Sequence, residues 1–362
     1  MSDKSRKTFL MIIFLCVLFI LVWVSDKFLD EYTMRVIRTG LIYIIAAISY
    51  NLINGIAGQF SLGPNGFMAL GGYMVALLML PLEQKKFVWF LKPLIWPFNS
   101  FSFTKAFFPL AIFFGGMAGA LGALVVGFPT LRLRGDYLAI ATFGFSQIII
   151  VLANNLISVT NGALGIKGVP EYANIYWCLA WAIITVLFTT NLANSSYGRA
   201  MKSIRDDEIA AESMGISIFK HKLLAFVVSG FFAGVSGGLM TSLITTISPS
   251  LFSFTMTFNL LIIIVLGGLG SITGSVITAF AFAILSELLR FVESPINLGP
   301  IYIPGIAGMR MLVFSFLLVV LMIFYRRGIF GEKELSWDWV LSRFGSKNHQ
   351  GVKVCPGKTE HF

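Results

Sequence analysis

At 362 residues the chain is 57% hydrophobic and only 12% charged, with a mean hydropathy of +0.84. A soluble domain carries about 25% charged residues, so a soluble globular enzyme is excluded and a polytopic membrane protein is indicated. The formal net charge of +10 argues for no nucleic-acid partner, because an integral protein collects Lys and Arg on its cytosolic side, where they set orientation.

The first element is an apolar run over 9–24 behind Lys4, Arg6 and Lys7. No small-x-small cleavage site follows at Trp23-Val24-Ser25-Asp26, so the run is expected to be an uncleaved first span. A helix needs about 20 mostly apolar residues to cross a bilayer core about 30 Å thick. Further apolar runs lie near 36–54, 66–81, 107–128, 137–159, 173–191, 223–246, 257–270, 272–290 and 307–325. Together they predict an all-α, polytopic transmembrane bundle of about ten spans, the first, third and eighth being the shortest. Backbone in lipid must satisfy its hydrogen bonds internally, so these are helices rather than open strands.

An even number of spans puts both termini on one side, and a cytosolic placement gathers there the larger share of the Lys and Arg residues. The connection 82–106 runs against that rule with Lys85, Lys86, Lys92 and Lys105. Its Trp89, Trp96 and several Phe suggest a segment lying in the outer interface. One transmembrane domain is expected over 1–335, followed by a polar, disordered cytosolic tail over 336–362. No internal repeat and no second domain are evident.

Gly55-Ile56-Ala57-Gly58-Gln59-Phe60-Ser61-Leu62-Gly63-Pro64-Asn65-Gly66 interrupts the spans early. Pro64 and the glycines break the helical ladder, and such backbone is tolerated at membrane depth only when buried in protein or lining a watery cavity. Gly58, Gln59, Ser61, Gly63 and Asn65 are therefore candidates for a gate or pathway wall, the alternative being an ordinary cytosolic turn. Leu131-Arg132-Leu133-Arg134-Gly135-Asp136-Tyr137 is a charged junction best read as a topology anchor. The polar Thr142, Ser146, Gln147, Asn154 and Asn155 that follow are expected to face the bundle interior or a pathway.

Residues 192–222 form a charged island between apolar runs. Asp206, Asp207 and Glu208 suit a helix N-terminus, where the macrodipole favours negative charge. Ile209, Ala210, Ala211 and Met214 can form a small apolar face beside Glu212, and Gly215 is a natural stop. Later, Gly267, Gly268, Gly270 and Gly274 are dense enough to let helix backbones approach closely. Glu287, Arg290 and Glu293 mark the outer boundary of one span.

No enzyme constellation is present, and no metal-ligand or disulfide spacing connects Cys16, Cys178, Cys355 and the scattered His221, His349 and His361. Gly351 to Thr359 resembles a phosphate loop but places five residues between its glycines, where the motif requires four. The chain is thus expected to bind no cofactor and no ATP.

The island resembles the E-A-A-x-x-x-G loop in the permease subunits of ATP-binding-cassette importers. Ala210, Ala211 and Gly215 match, whereas Ile209 stands where the glutamate would be, with Glu208 just before it. That departure resembles the branched-chain amino acid branch. So do Gly58-Gln59-Phe60-Ser61-Leu62-Gly63, Leu131 to Tyr137, Gly198-Arg199-Ala200 through Gly215, Leu266-Gly267-Gly268-Leu269-Gly270-Ser271 and Arg327-Gly328-Ile329-Phe330-Gly331. Pro64 departs from a position that is often histidine, and Arg326 from an expected proline. The match runs from about residue 40 to 335 and is most similar to the M-type subunit.

The resemblance implies an inner-membrane importer of leucine, isoleucine and valine. It also implies a second homologous permease, two ATPase subunits holding ATP and Mg, and an extracytoplasmic substrate-binding protein. Asp206 to Gly215 would be the cytosolic coupling helix that docks on an ATPase. Permeases for urea or short amides, and an ion-coupled secondary amino-acid transporter, are the alternative functions.

Overall fold

A computed structural model describes residues 24–290 without 91, 101 and 134, and then 296–298, 301–303, 308–324, 328, 329 and 331, with 19 and 22 ahead of them. The expected first span at 9–24, the phosphate-loop mimic, Arg134, Glu293, Arg326, Arg327 and the tail 336–362 therefore lie wholly or largely outside the described residues.

The described helices of six residues or more, in chain order, are α1 (Glu31–Asn51), α2 (Pro64–Met79), α3 (Leu82–Val88), α4 (Phe108–Thr130), α5 (Asp136–Asn155) and α6 (Ile175–Asn194). They continue with α7 (Ser196–Asp206), α8 (Glu208–Ser213), α9 (Ile218–Ile244), α10 (Phe254–Gly267), α11 (Ile272–Leu288) and α12 (Met309–Phe324). Among the described residues, strands are confined to two short antiparallel ribbons. Ile166 pairs with Ile247 and Lys167 with Thr246, and Ile296–Leu298 pairs with Ile301–Ile303.

Among the described residues, six helical stretches are long and apolar enough to cross a membrane, or seven if α2 and α3 are one span. The expectation of about ten is therefore too high. α2 has 16 residues and α11 has 17, which at 1.5 Å per residue rise about 24–26 Å, short of a full hydrocarbon core. An apolar run alone does not separate a partial helix from a full crossing. The bend of 120° between α2 and α3 turns the chain out of the span after Leu80.

α9, 27 residues long, is the centre of the bundle, with α1, α2 and α4 packed on it. A seam of small residues lets their backbones touch. A Cβ at Gly71 would fall 2.2 Å from the Gly234 carbonyl oxygen, one at Gly119 2.3 Å from that of Gly230, and one at Gly237 1.9 Å from that of Met68. Lipid supplies little drive for helices to associate, so this close approach carries the packing. Ser49 adds a hydrogen bond to the Ser229 carbonyl at 2.9 Å, and Phe67 meets Phe226 edge-on at 5.5 Å.

The bundle has two distinct ends. At one lie α7, α8 and the α10–α11 turn. At the other, Arg38 pairs with Glu171 at 2.7 Å, the Ile166–Ile247 ribbon forms, and Tyr32 and Arg290 both bond Glu287. The segment after α3 also lies at this far end. α3 and this segment expose Phe87, Phe90 and Trp96, while Lys85 of α3 is buried and donates to the Phe98 carbonyl at 2.7 Å. Loss of water around that ammonium lowers its pKa to about 8.

Candidate functional site

Two groups of residues stand apart from the apolar packing. The first is the break between α1 and α2. α1 runs on through a π-helical turn, Leu52–Ile56, closed by Ala57 N–H donating to the Leu52 carbonyl at 3.0 Å. Turns of this kind are frequent at functional sites. The chain then runs non-helically to Gly63, and α2 starts at Pro64, whose missing N–H and fixed φ suit a first helical position.

Within the broken stretch Gln59, Ser61 and Asn65 are buried, exposed by 2%, 0% and 0%, and Gly63 is buried with them, whereas Gly58 and Phe60 are exposed. Ser61 is held on both sides: its N–H donates to Asn54 Oδ1 at 3.1 Å, and its carbonyl accepts from the Tyr50 hydroxyl at 2.7 Å. Leu62 N–H reaches Thr142 Oγ1 at 3.1 Å, and Gly63 sits against the Thr142 carbonyl. Asn65 Nδ2 donates to the Phe252 carbonyl at 2.9 Å. That bond joins the start of α2 to the 3₁₀ turn Pro249–Phe252, which leads into α10. Both side-chain polar atoms of Gln59, together with Asn54 Nδ2 and Asn65 Oδ1, have no hydrogen-bond partner among the described residues. Buried polar groups are nearly always paired, so this cluster keeps hydrogen-bonding capacity inside an otherwise apolar bundle.

The second group is the charged island, which forms two helices, α7 and α8. Asp206 ends α7 and pairs with Arg205 at 3.0 Å. Asp207 caps α8, its Oδ1 accepting from Ile209 N–H at 2.8 Å and Ala210 N–H at 3.0 Å. Glu208 is ion-paired with the largely buried Lys222 of α9. The three acidic residues therefore do three different things, and only Asp207 and Glu208 belong to the start of α8.

The expected apolar face is split in the same way. Ala211 is buried, whereas Ile209 and Met214 are exposed by 77% and 83%, beside exposed Ala210 and Glu212. Gly215 has φ +80, a left-handed stop that favours glycine. α8 thus offers two large apolar side chains outward from a capped, six-residue helix.

The later glycines divide between packing and turning. Gly267 and Gly274 face each other across α10 and α11, a Cβ at Gly274 falling 2.1 Å from the Gly267 carbonyl oxygen. Gly268 and Gly270 belong to the connecting turn. Asn51 grips that turn with three bonds of 2.9 Å: it accepts from Gly270 N–H and donates to the Ser271 carbonyl and to Ser275 Oγ. Asn51, Asn54 and the Gly71–Gly119–Gly234 seam were not singled out in the sequence. Each is one small or polar residue in a long apolar run, and only the partner elements reveal its task. Arg132 lies over the Phe128 ring at 5.1 Å, which suits an anchor. Among the described residues no group of His, Cys, Asp and Glu is placed to hold a metal.

A bundle of apolar helices with a buried polar break inside and a capped, outward-facing helix at one end is the architecture of a membrane permease. The chain belongs to the family of branched-chain amino acid transport system permease components, which matches residues 32–326. Its relatives include the high-affinity branched-chain amino acid transport system permease protein LivM of Salmonella typhimurium, 31% identical over 323 residues, 80% of this chain and 70% of the relative. The protein of the same name from Escherichia coli is 31% identical over 312 residues, 77% and 68% of the two chains. The permease protein LivH of Salmonella typhimurium is more distant, 24% identical over 277 residues, 70% of this chain and 83% of that one. The chain is a transporter component rather than an enzyme.

Proposed function

We propose that the chain forms one half of the translocation pathway of an ATP-driven importer for leucine, isoleucine and valine, in the bacterial inner membrane with both termini in the cytosol. A second, homologous permease completes the pathway, and the similarity of one chain to both LivM and LivH proteins supports a pair of related subunits. Two ATPase subunits bind and hydrolyse ATP with Mg, and an extracytoplasmic binding protein delivers the substrate; this chain binds no cofactor of its own. Gly58, Gln59, Ser61, Gly63 and Asn65 line the route or gate it.

The observation that carries this proposal is α8. A capped helix of six residues that exposes Ile209 and Met214 at 77% and 83% has the makings of a docking element, since such apolar exposure at an aqueous end favours a protein partner. A charge on that face directly tests the role. Ile209→Asp is expected to assemble with the second permease but to lose its ATPase subunits on purification. Retention of the ATPases at wild-type stoichiometry would refute docking through α8.

A further inference from the structure

Arg205 sits in a notch built from two separate elements. It is the penultimate residue of α7, just ahead of the Asp207 cap. Its Nη1 donates to the Gly55 carbonyl at 3.2 Å, in the π turn that opens the broken stretch. A Cβ at Gly58 would fall 2.5 Å from Arg205 Cγ and 2.8 Å from its Cβ, and a Cβ at Gly270 would fall 3.3 Å from its Nη1. The stem thus lies on the broken segment while the guanidinium reaches the α10–α11 turn. That turn is in turn tied to α1 through Asn51, by the bonds to Gly270, Ser271 and Ser275.

Steric fit and hydrogen bonding agree here. A side chain at Gly58 would collide with the arginine stem, so the chain leaves room there for this residue. Gly58 also has φ +66, which favours glycine in its own right. The planar guanidinium presents several donors in a fixed fork, which lets it hold Asp206 through Nε while bonding a carbonyl on another element. Met201 and Ile204, both buried, seat α7 against the bundle on the same side. A shift of α7 and α8 therefore has a direct route through this contact to residues 55–58, and from there to Gln59, Ser61 and Asn65.

We propose that Arg205 is the positioning residue that transmits movement of the α7–α8 element to the broken segment and to the α10–α11 turn. This inference rests on the proposed docking of α8. The test uses the complete complex in proteoliposomes, with both permeases, the ATPases and the binding protein, and reads leucine taken up per ATP hydrolysed. Arg205→Ala, Arg205→Gln and Arg205→Lys are compared with the parent.

Arg205→Gln and Arg205→Ala are expected to assemble and hydrolyse ATP while leucine per ATP falls about tenfold, the size of one lost charge-assisted hydrogen bond. Arg205→Lys keeps a cation for the Gly55 carbonyl and is expected to recover most of the coupling. Unchanged leucine per ATP in an assembled Arg205→Gln complex would overturn the inference and leave docking intact. Failure of all three variants to assemble would also overturn it, by showing that Arg205 only holds the fold. Retention of the ATPases by Ile209→Asp would instead remove the docking role on which it rests.

Discussion

Replacement of Asp207 by alanine should weaken the hold of the ATPases by about tenfold without disturbing the transmembrane bundle. α8 has six residues, below the roughly 12–15 at which an isolated helix holds in water, so its population depends on its cap. Asp207 Oδ1 takes two of the N–H groups that the first turn leaves unpaired, Ile209 at 2.8 Å and Ala210 at 3.0 Å. Losing such a cap costs about 1 kcal/mol, and removing a negative charge from the helix N-terminus adds about 0.3–1 kcal/mol. Together these approach the 1.4 kcal/mol that corresponds to about a tenfold change in an equilibrium constant. A partner that binds only folded α8 would feel that change as lost affinity. An asparagine in place of Asp207 would keep the cap and lose only the charge, so Asp207→Asn should weaken binding about two- to fivefold. Titration of the purified permease pair with ATPase subunit distinguishes the variants. Equal affinity for the parent and Asp207→Ala would refute the reasoning, because it would mean that α8 need not be folded to bind.

Four further outcomes are expected. Gly71→Val should lower the thermal unfolding midpoint of the purified protein, since its Cβ would meet Gly234 backbone at 2.2 Å and overpacking costs about 1–3 kcal/mol. Gly144→Ala, on a helix with nothing within 4 Å, should leave that midpoint unchanged or slightly raised. Glu208→Ala should destabilise by about 1 kcal/mol by stranding Lys222, whose side chain is only 9% exposed, and adding Lys222→Met should restore most of the loss. Lys85 supplies a pH signature. Its folded pKa, about 8, lies below the ordinary 10.5, so the folded state bears the cost of a buried charge at pH 7 and sheds it as pH rises from about 8 to 10.5. The stability gain of Lys85→Met over the parent should be largest at pH 7 and shrink across that window, as followed by thermal denaturation.

The features that could be read from the sequence are those that break an apolar background. The charged island, its stop at Gly215 and the interruption at Gly55–Gly66 contrast with their surroundings, and each falls where the backbone changes course. What could not be read depends on partners far away in the chain. Nothing local tells which carbonyl Arg205 reaches, and Asn51 finds Gly270 across 219 positions. The Gly71, Gly119 and Gly234 seam escaped for a related reason. Its helices are apolar almost all round, so no periodic stripe marks the face that meets a neighbour. The excess in the expected number of spans has the same origin, because hydropathy reports the length of an apolar run and not how steeply or how far it crosses. Within the island, the acidic run Asp206–Glu208, expected to begin a helix, does so at its Asp207 cap. The break at Asp207 follows from the competition between a cap and a continuing helix, which the cap wins by taking two N–H groups at once.

On the proposed function, this chain conducts branched-chain amino acids only as part of an ATP-driven assembly. Reconstitution in proteoliposomes with its second permease, its ATPases and its binding protein, followed by leucine uptake with and without ATP on the ATPase side, tests it most directly. Uptake that requires both ATP and the binding protein is the predicted result. ATP-independent uptake of leucine by this chain alone would contradict it.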